Sequence, residues 1–366
     1  MAYSSLHKNQ ITPFQAGLLA WNKKENKRQM PWKGEKEPYK IWLSEVILQQ
    51  TRVEQGLAYY ERFIKKYPTI HDLALANDEA VFKLWEGLGY YSRCRNLLAT
   101  ARFISFEKAG VFPKSYKDIL SLKGVGPYTA AAIASFAYQL PHAVLDGNVI
   151  RVIARYFGIR LAADSTEGKK FFQASAEILL DRDAPHIYNQ AIMDFGATVC
   201  KPLSPNCLGC PLQKGCAVFQ QQKVNELPLK KKKVAITKRW FYYFILYSGN
   251  KIFIQQRQGK DIWHHLHEFY LFESKQSITW TKKKATTWLE KECAIKKPVI
   301  KFISAERKQQ LTHQLIHGVF IEAHIDEIPQ SLPADCWHSA KTIDKLAFPR
   351  FITSFLAEKK LTLRNT

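Results

Sequence analysis

Four cysteines, Cys200, Cys207, Cys210 and Cys216, stand as C-x6-C-x2-C-x5-C within seventeen residues, in a segment that also holds Pro202, Pro205, Gly209, Pro211 and Gly215. Four soft thiolates on so tight a loop point to a metal site, and ligand chemistry admits either tetrahedral zinc or a cubane iron-sulfur cluster. Zinc ribbons usually pair two CxxC knuckles across a longer spacer, whereas here one CxxC is flanked by wider gaps. Structural core cysteines, the plain alternative, rarely fall in a loop so rich in Pro and Gly. Cys94, Cys293 and Cys336 are scattered. With no export signal, reducing surroundings would leave the clustered thiols free as ligands.

Two carboxylates stand out next. Glu45, in IWLSEVILQQT, sits in an apolar helical run with few other charges, so partial burial would raise its pKa and keep it protonated. Asp146, in LDGNV, precedes a helical run and would stay ionised if neighbouring N–H groups donate to it. Such a pair can supply a proton to a leaving group and negative charge beside a developing cation. Each acid alone has an ordinary explanation, Glu45 as a surface helix residue and Asp146 as an N-cap. Between them, LKGVGPYTAAAIASFAY places Gly124 and Gly126 in a tight turn with Pro127 at the start of an Ala-rich helix. The free amides and dipole of such a helix start favour a phosphate, although a simple helix cap has the same pattern.

The elements that must hold these residues are helical. From Phe14 to about Ala217, runs such as WLSEVILQQTRVEQGLAYYERFIKKY and KKFFQASAEILL repeat apolar residues at spacings of three and four, broken by EGLGYYSR, LKGVGPYT and LDGNV. The stretch VNELPLKKKKVAITKR, with lysines at 230 to 233, reads as a solvated linker, too polar to pack in a core. Beyond it RWFYYFILYS, NKIFIQQRQ and GVFIEAHIDEI have strand character, while TKKKATTWLEKECA and TIDKLAFPRFITSFLAEK suggest helices. The expected organisation is an all-α domain over residues 1–222, a basic linker over 223–237 and a smaller α+β domain over 238–366. At 366 residues with 46% hydrophobic and 13% aromatic content, the chain has material for two packed domains. Fifty-four Lys plus Arg against 32 Asp plus Glu give a formal charge of +22, which favours a nucleic acid partner. No apolar run approaches the roughly 18 to 20 residues of a membrane-spanning helix, and MAYSSLHKNQITPF lacks the apolar core of a secretory signal. A cytoplasmic, nucleoid-associated monomer in a bacterial cell is the expectation.

The cysteine spacing resembles the 4Fe-4S loop of the endonuclease III and MutY branch of the helix-hairpin-helix DNA glycosylases. WLSEVILQQT, GLGYYSR, GVGPYTAAAI, LDGNV and NQAIMDFGATVC form an ordered series similar to the adenine DNA glycosylase (MutY) family over roughly residues 10 to 222, and more weakly beyond. The resemblance implies base excision repair: adenine opposite 8-oxoguanine or guanine in double-stranded DNA is flipped out and cut from its sugar. It assigns Glu45 to protonate adenine at N7 and then help water attack, and Asp146 to stabilise the oxocarbenium ion or trap it as an ester. Tyr128 and Asn148 would support these carboxylates, Trp32, Lys33 and Gln190 would line the adenine pocket, and Cys200, Cys207, Cys210 and Cys216 would hold a 4Fe-4S cluster. Lys33 replaces an Arg in the family's PWR sequence and lacks its planar fork. Tyr90 matches a wedge beside 8-oxoguanine, Gln50, Thr51 and Leu88 match residues near that lesion's Watson–Crick face, and Gly124 and Gly126 match the phosphate hairpin.

Tyr128 falls where bifunctional relatives carry a Schiff-base lysine, which implies a monofunctional enzyme that leaves an intact strand with an abasic site. The last 130 or so residues resemble the MutT-like (Nudix-like) lesion-recognition domain of the family, without the Glu-rich metal helix of its nucleotide-hydrolysing relatives. There Leu315, Ile316 and His317 stand where the family reads FSH, so His317 is the expected lesion contact. Two other functions compete: a bifunctional glycosylase/lyase, opposed by Tyr128, and a non-enzymatic redox-sensing DNA binder, opposed by the paired carboxylates.

Overall fold

The computed structural model describes residues 6, 8–231 and 235–364, so both ends of the chain and residues 232–234, with Lys232 and Lys233 of the lysine run, lie outside the described residues. The chain forms two compact units, one of Met1–Leu75 with Arg95–Lys232 and one of Ala76–Cys94 with Lys233–Thr366. The helix Asp78–Trp85 thus packs with the second unit, although it comes from the helical half of the sequence. Lys83 Nζ donates to the Leu346 carbonyl at 2.9 Å, and the Phe348 amide donates to Glu86 Oε1 at 2.9 Å.

Described by itself, the first unit is all helix. Its starts follow local chemistry: Pro38, Pro127 and Pro185 open helices at Pro38–Leu48, Pro127–Tyr138 and Pro185–Thr198, where a missing N–H costs nothing. Glu37 caps the first by accepting from the Tyr39 and Lys40 amides. Asp146 caps Gly147–Tyr156 by accepting from the Val149 amide. The Ala-rich helix Pro127–Tyr138 buries Ala130, Ala131, Ala132 and Ala134, small side chains that let neighbouring helices approach closely. Close approach is required at Gly196 too, where an added Cβ would meet Asn148 Cβ at 2.7 Å.

The segment expected to be a solvated linker is docked on this unit as far as Lys231. Leu227 is buried and its carbonyl accepts from Arg155 Nε at 3.0 Å. The Ala163 amide donates to the Leu229 carbonyl, and the Lys231 amide to Asp164 Oδ1. Leu227 and Leu229 anchor the stretch, while Lys230 and Lys231 are exposed.

The second unit is a mixed sheet with helices on both faces. Its strand order is Val299–Ile303, Gln314–His324, Thr237–Ser248, Lys251–Phe253 and Trp337–Ser339, with Tyr270–Ser274 pairing the central strand and Arg307–Gln310 pairing Gln314–His324. Thr237–Ser248 runs parallel to Gln314–His324 from Thr237↔Gln314 to Tyr247↔His324. Alternate residues of that central strand enter different cores. Tyr242, Phe244 and Leu246 meet Trp280 and Leu289 beside the helix Lys282–Glu292, while Phe241, Tyr243 and Ile245 meet Phe351, Ile352 and Phe355 of the helix Arg350–Arg364. Burial on both faces explains why RWFYYFILYS is continuously apolar rather than alternating. Among the described residues no helix is long and apolar enough to cross a membrane.

Candidate active site

A cavity of about 780 Å³ opens in the first unit, within the size range of small-molecule sites. Nine of the residues singled out from the sequence line it: Trp32, Lys33, Glu45, Gln50, Thr51, Tyr128, Asp146, Asn148 and Gln190. Four helices hold five of them, and turns carry Trp32, Lys33, Gln50 and Thr51. Glu45 comes from Pro38–Leu48, Tyr128 from the first turn of Pro127–Tyr138, Asp146 and Asn148 from the start of Gly147–Tyr156, and Gln190 from Pro185–Thr198. Gln50 follows the first of these in the left-handed region, with φ 56°, a conformation that costs a non-glycine residue and recurs at functional sites.

Glu45 is only 7% exposed, and burial pushes its carboxyl up to about 7, with a hydrogen bond from Tyr128 opposing and the charge of Asp146 reinforcing the rise. Burial in turn holds the Tyr128 hydroxyl well above the usual phenol range. Asp146 is held differently. Its Oδ1 accepts from the Val149 amide at 2.7 Å and its Oδ2 from Asn148 Nδ2 at 2.6 Å. Burial still raises its pKa above the ordinary aspartate value, against those donors and the nearby Arg151 charge. The pair can therefore offer a proton from one carboxyl and hydrogen-bonded negative charge from the other.

Arg151, which sequence reasoning passed over, organises the back of the site. Its Nη2 donates to Asn148 Oδ1 at 2.8 Å and to the Gly196 carbonyl at 2.6 Å, and its Nε donates to the Cys200 carbonyl at 2.7 Å. Asn148 is thus fixed between Arg151 and Asp146. Arg28 and Asp194 were also missed: Asp194 is fully buried and paired with Arg28 at 2.8 Å and Lys33 at 3.0 Å. The available signal was an acid in the apolar helical run NQAIMDFG, which must be partnered to be buried.

Cys200, Cys207, Cys210 and Cys216 line one small pocket with Arg155. Arg155 donates to Cys200 Sγ at 3.5 Å and to the carbonyls of Lys201 and Pro202, tying the loop to the helix Gly147–Tyr156. Burial pushes the Cys210 thiol up to about 11, with its neighbouring thiols adding to the rise against the Leu212 amide. A single tetrahedral zinc draws its sulfurs to about 2.3 Å from one point. The four thiols lining this pocket suit either such an ion or an iron-sulfur cluster.

Gly124 and Gly126 lie outside the cavity. Gly124 has φ +81° and an added Cβ would meet Asn96 Cβ at 2.6 Å, while Gly126 caps Pro127–Tyr138. Thr100 Oγ1 holds the turn through the Lys123 carbonyl at 2.9 Å.

The remaining expected residues belong to the second unit. Tyr90 is 48% exposed with φ 48°, its ring below the Arg93 guanidinium, and its hydroxyl hydrogen-bonds Thr312 Oγ1 at 2.8 Å. Leu88 is buried. His317, the expected lesion contact, lies on the strand Gln314–His324. It is 8% exposed and stacks on Trp240 at 5.0 Å, because the parallel register sets Trp240 directly beside it, and Nδ1 lies 3.1 Å from Glu306 Oε1. Ile316 is fully buried on the opposite face. The residue that reaches Tyr90 is Thr312, in the turn between Arg307–Gln310 and Gln314–His324.

Residues 43–177 match the family described as HhH-GPD superfamily base excision DNA repair protein, and residues 242–358 match the NUDIX domain. An adenine DNA glycosylase of Buchnera aphidicola (subsp. Baizongia pistaciae) is 37% identical over 275 residues, 75% of this chain and 78% of that protein. Another, from Buchnera aphidicola subsp. Schizaphis graminum, is 30% identical over 94% of this chain and 98% of that protein. The solved structure of a thermostable thymine-DNA glycosylase superposes on 58% of this chain and 98% of its own, with a TM-score of 0.54 and 29% identity. Similarity that runs the length of both proteins, joined to both domain matches, places this chain in the adenine DNA glycosylase family.

Proposed function

We propose that this protein is a monofunctional adenine DNA glycosylase of base excision repair, acting on adenine opposite 8-oxoguanine or guanine in duplex DNA. The observation that carries the reading is a buried Glu45 with a pKa of about 7 lining the same cavity as Asp146, itself bonded by Asn148 and the Val149 amide. Glu45 gives its proton to N7 of the flipped adenine. The C1′–N9 bond breaks with its electron pair leaving on the base, and Asp146 stabilises the sugar cation. Water then adds to C1′, its proton returns to Glu45, and an abasic site remains. Tyr128 offers no amine, so no imine forms with the opened sugar.

On the lesion side, the exposed Tyr90 and its partner Thr312 support contact with the opposite base, and Gln50 and Thr51 line the cavity. The turn at Gly124 and Gly126 presents helix-start amides to a phosphate. Cys200, Cys207, Cys210 and Cys216 would hold a 4Fe-4S cluster, whose chemistry when bound is to cross-link the loop. Arg155 and Arg151 tie that loop to the helix bearing Asp146 and Asn148. We keep the division into a glycosylase domain over 1–222 and a MutT-like, lesion-reading domain over 238–366, acting as a monomer in the bacterial cytoplasm.

The test is a duplex carrying adenine opposite 8-oxoguanine, incubated with the parental protein or E45Q and then treated with or without alkali. Strand breaks only after alkali, lost in E45Q, are expected. Breaks without alkali, with a borohydride-trapped complex, would instead mean a lyase. Binding without base release would mean a non-enzymatic DNA binder.

A further inference from the structure

Asp194 is fully buried and accepts four hydrogen bonds from side chains: Arg28 Nη1 at 2.8 Å and Gln190 Nε2 at 3.0 Å on Oδ1, Asn26 Nδ2 at 2.9 Å and Lys33 Nζ at 3.0 Å on Oδ2. A carboxylate has about four acceptor sites, so all are filled and none is left for a substrate. Three of its partners, Arg28, Lys33 and Gln190, line the cavity. We propose that Asp194 is a positioning residue that gives this pocket its preference for a 6-amino purine over a 6-oxo purine. The inference rests on the reading of the cavity as an adenine site.

The reasoning turns on the Gln190 amide. Facing two cations, Asp194 acts as a carboxylate and only accepts, so Gln190 must present its NH₂ group to it. The carbonyl Oε1 then points away, and no donor among the described residues bonds it. Gln190 therefore offers the cavity an acceptor, which suits the exocyclic N–H of adenine and opposes the carbonyl of guanine or hypoxanthine. Lys33 is fixed in the same way. Two of its three N–H donors go to Asp194 and to the Arg28 carbonyl at 2.9 Å, leaving one for a ring nitrogen. A lysine can thus serve where a planar fork is absent, because Asp194 holds it. Replacement by Asn removes the constraint: an amide at 194 can donate as well as accept, and Gln190 becomes free to turn its NH₂ toward a carbonyl.

The experiment measures single-turnover release of adenine and of hypoxanthine from otherwise identical duplexes by the parental protein, D194N, Q190L and the double variant, with melting curves for each. The adenine-to-hypoxanthine rate ratio is expected to fall about tenfold or more in D194N, the loss of one well-placed base contact. It should fall similarly in Q190L, and no further in the double variant. D194N slowing both bases equally would show a packing role only and overturn the proposal. Should D194N fail to fold, Q190L decides alone, because a parental ratio there means that Gln190 does not read the 6-position. If the parental protein releases no adenine, the functional reading itself fails, an outcome distinct from release with an unchanged ratio in the variants.

Discussion

Replacing Glu45 by Gln should abolish adenine release and, above neutral pH, make the protein more stable. Burial raises this carboxyl from 4.5 to about 7. The folded protein therefore holds the proton more tightly than the unfolded chain does. Stability falls as pH rises from 4.5 to about 7 and levels off beyond, where the group is ionised in both states. At about 1.4 kcal/mol per pH unit, the cost at pH 8 is about 3 kcal/mol. Gln has nearly the same shape, carries no charge and can still bond Tyr128, so E45Q escapes this cost. The melting temperature of E45Q minus that of the parent should widen by about 6 to 12 °C between pH 4.5 and pH 8, at roughly 2 to 4 °C per kcal/mol for a unit of this size. Taking the difference between two proteins cancels the titrating groups that do not interact with Glu45, the cysteines included. In parallel, the parental single-turnover rate should fall about tenfold per pH unit above about 7, as Glu45 loses the proton it must deliver. A melting difference that stays constant over this range, or a rate flat up to pH 9, would refute the reasoning that burial of Glu45 supplies the acid.

Four further outcomes follow from the geometry. D146N should keep its melting temperature within a few degrees, since Asn caps the helix Gly147–Tyr156 as well as Asp does, yet lose about 10²- to 10³-fold in adenine release. R151Q removes charge-assisted bonds to Asn148, Gly196 and Cys200, so a stability loss of about 3 kcal/mol in denaturant titration and at least about tenfold slower release are expected. G124A meets both a left-handed φ of +81° and Asn96 at 2.6 Å. It should weaken duplex binding in a titration while leaving the saturated rate nearly unchanged, and equal affinity would argue against the phosphate role of this turn. T312V deletes the partner of the Tyr90 hydroxyl. It should reduce the preference for adenine opposite 8-oxoguanine over adenine opposite guanine about fivefold in competition assays, whereas an unchanged preference would detach this turn from lesion reading.

What the amino-acid sequence by itself determined is whatever depends on near neighbours. The cysteine loop is one such feature, because its ligands fall within seventeen residues. The helix starts at Pro38, Pro127 and Pro185 and the Asp146 cap are others, because a cap is satisfied within three residues. The paired carboxylates were legible through motif order, and Glu45 through the apolar run around it. Only the tertiary structure decided what joins distant segments. Asp194 meets Arg28 and Lys33 across more than 160 residues, and Arg151 ties Asn148 to the cysteine loop. Neither pairing leaves a periodic trace. Strand register was equally hidden: the parallel ladder lays His317 against Trp240 and leaves Thr312 in the turn beside Tyr90. A shift of one residue along a strand reverses which side chains face the core, and the apolar pattern around Leu315 to Val319 is compatible with more than one alignment. The burial of Glu45 was therefore readable along the chain, while the pairing of Asp194 with Arg28 and Lys33 became visible only when the helices were packed.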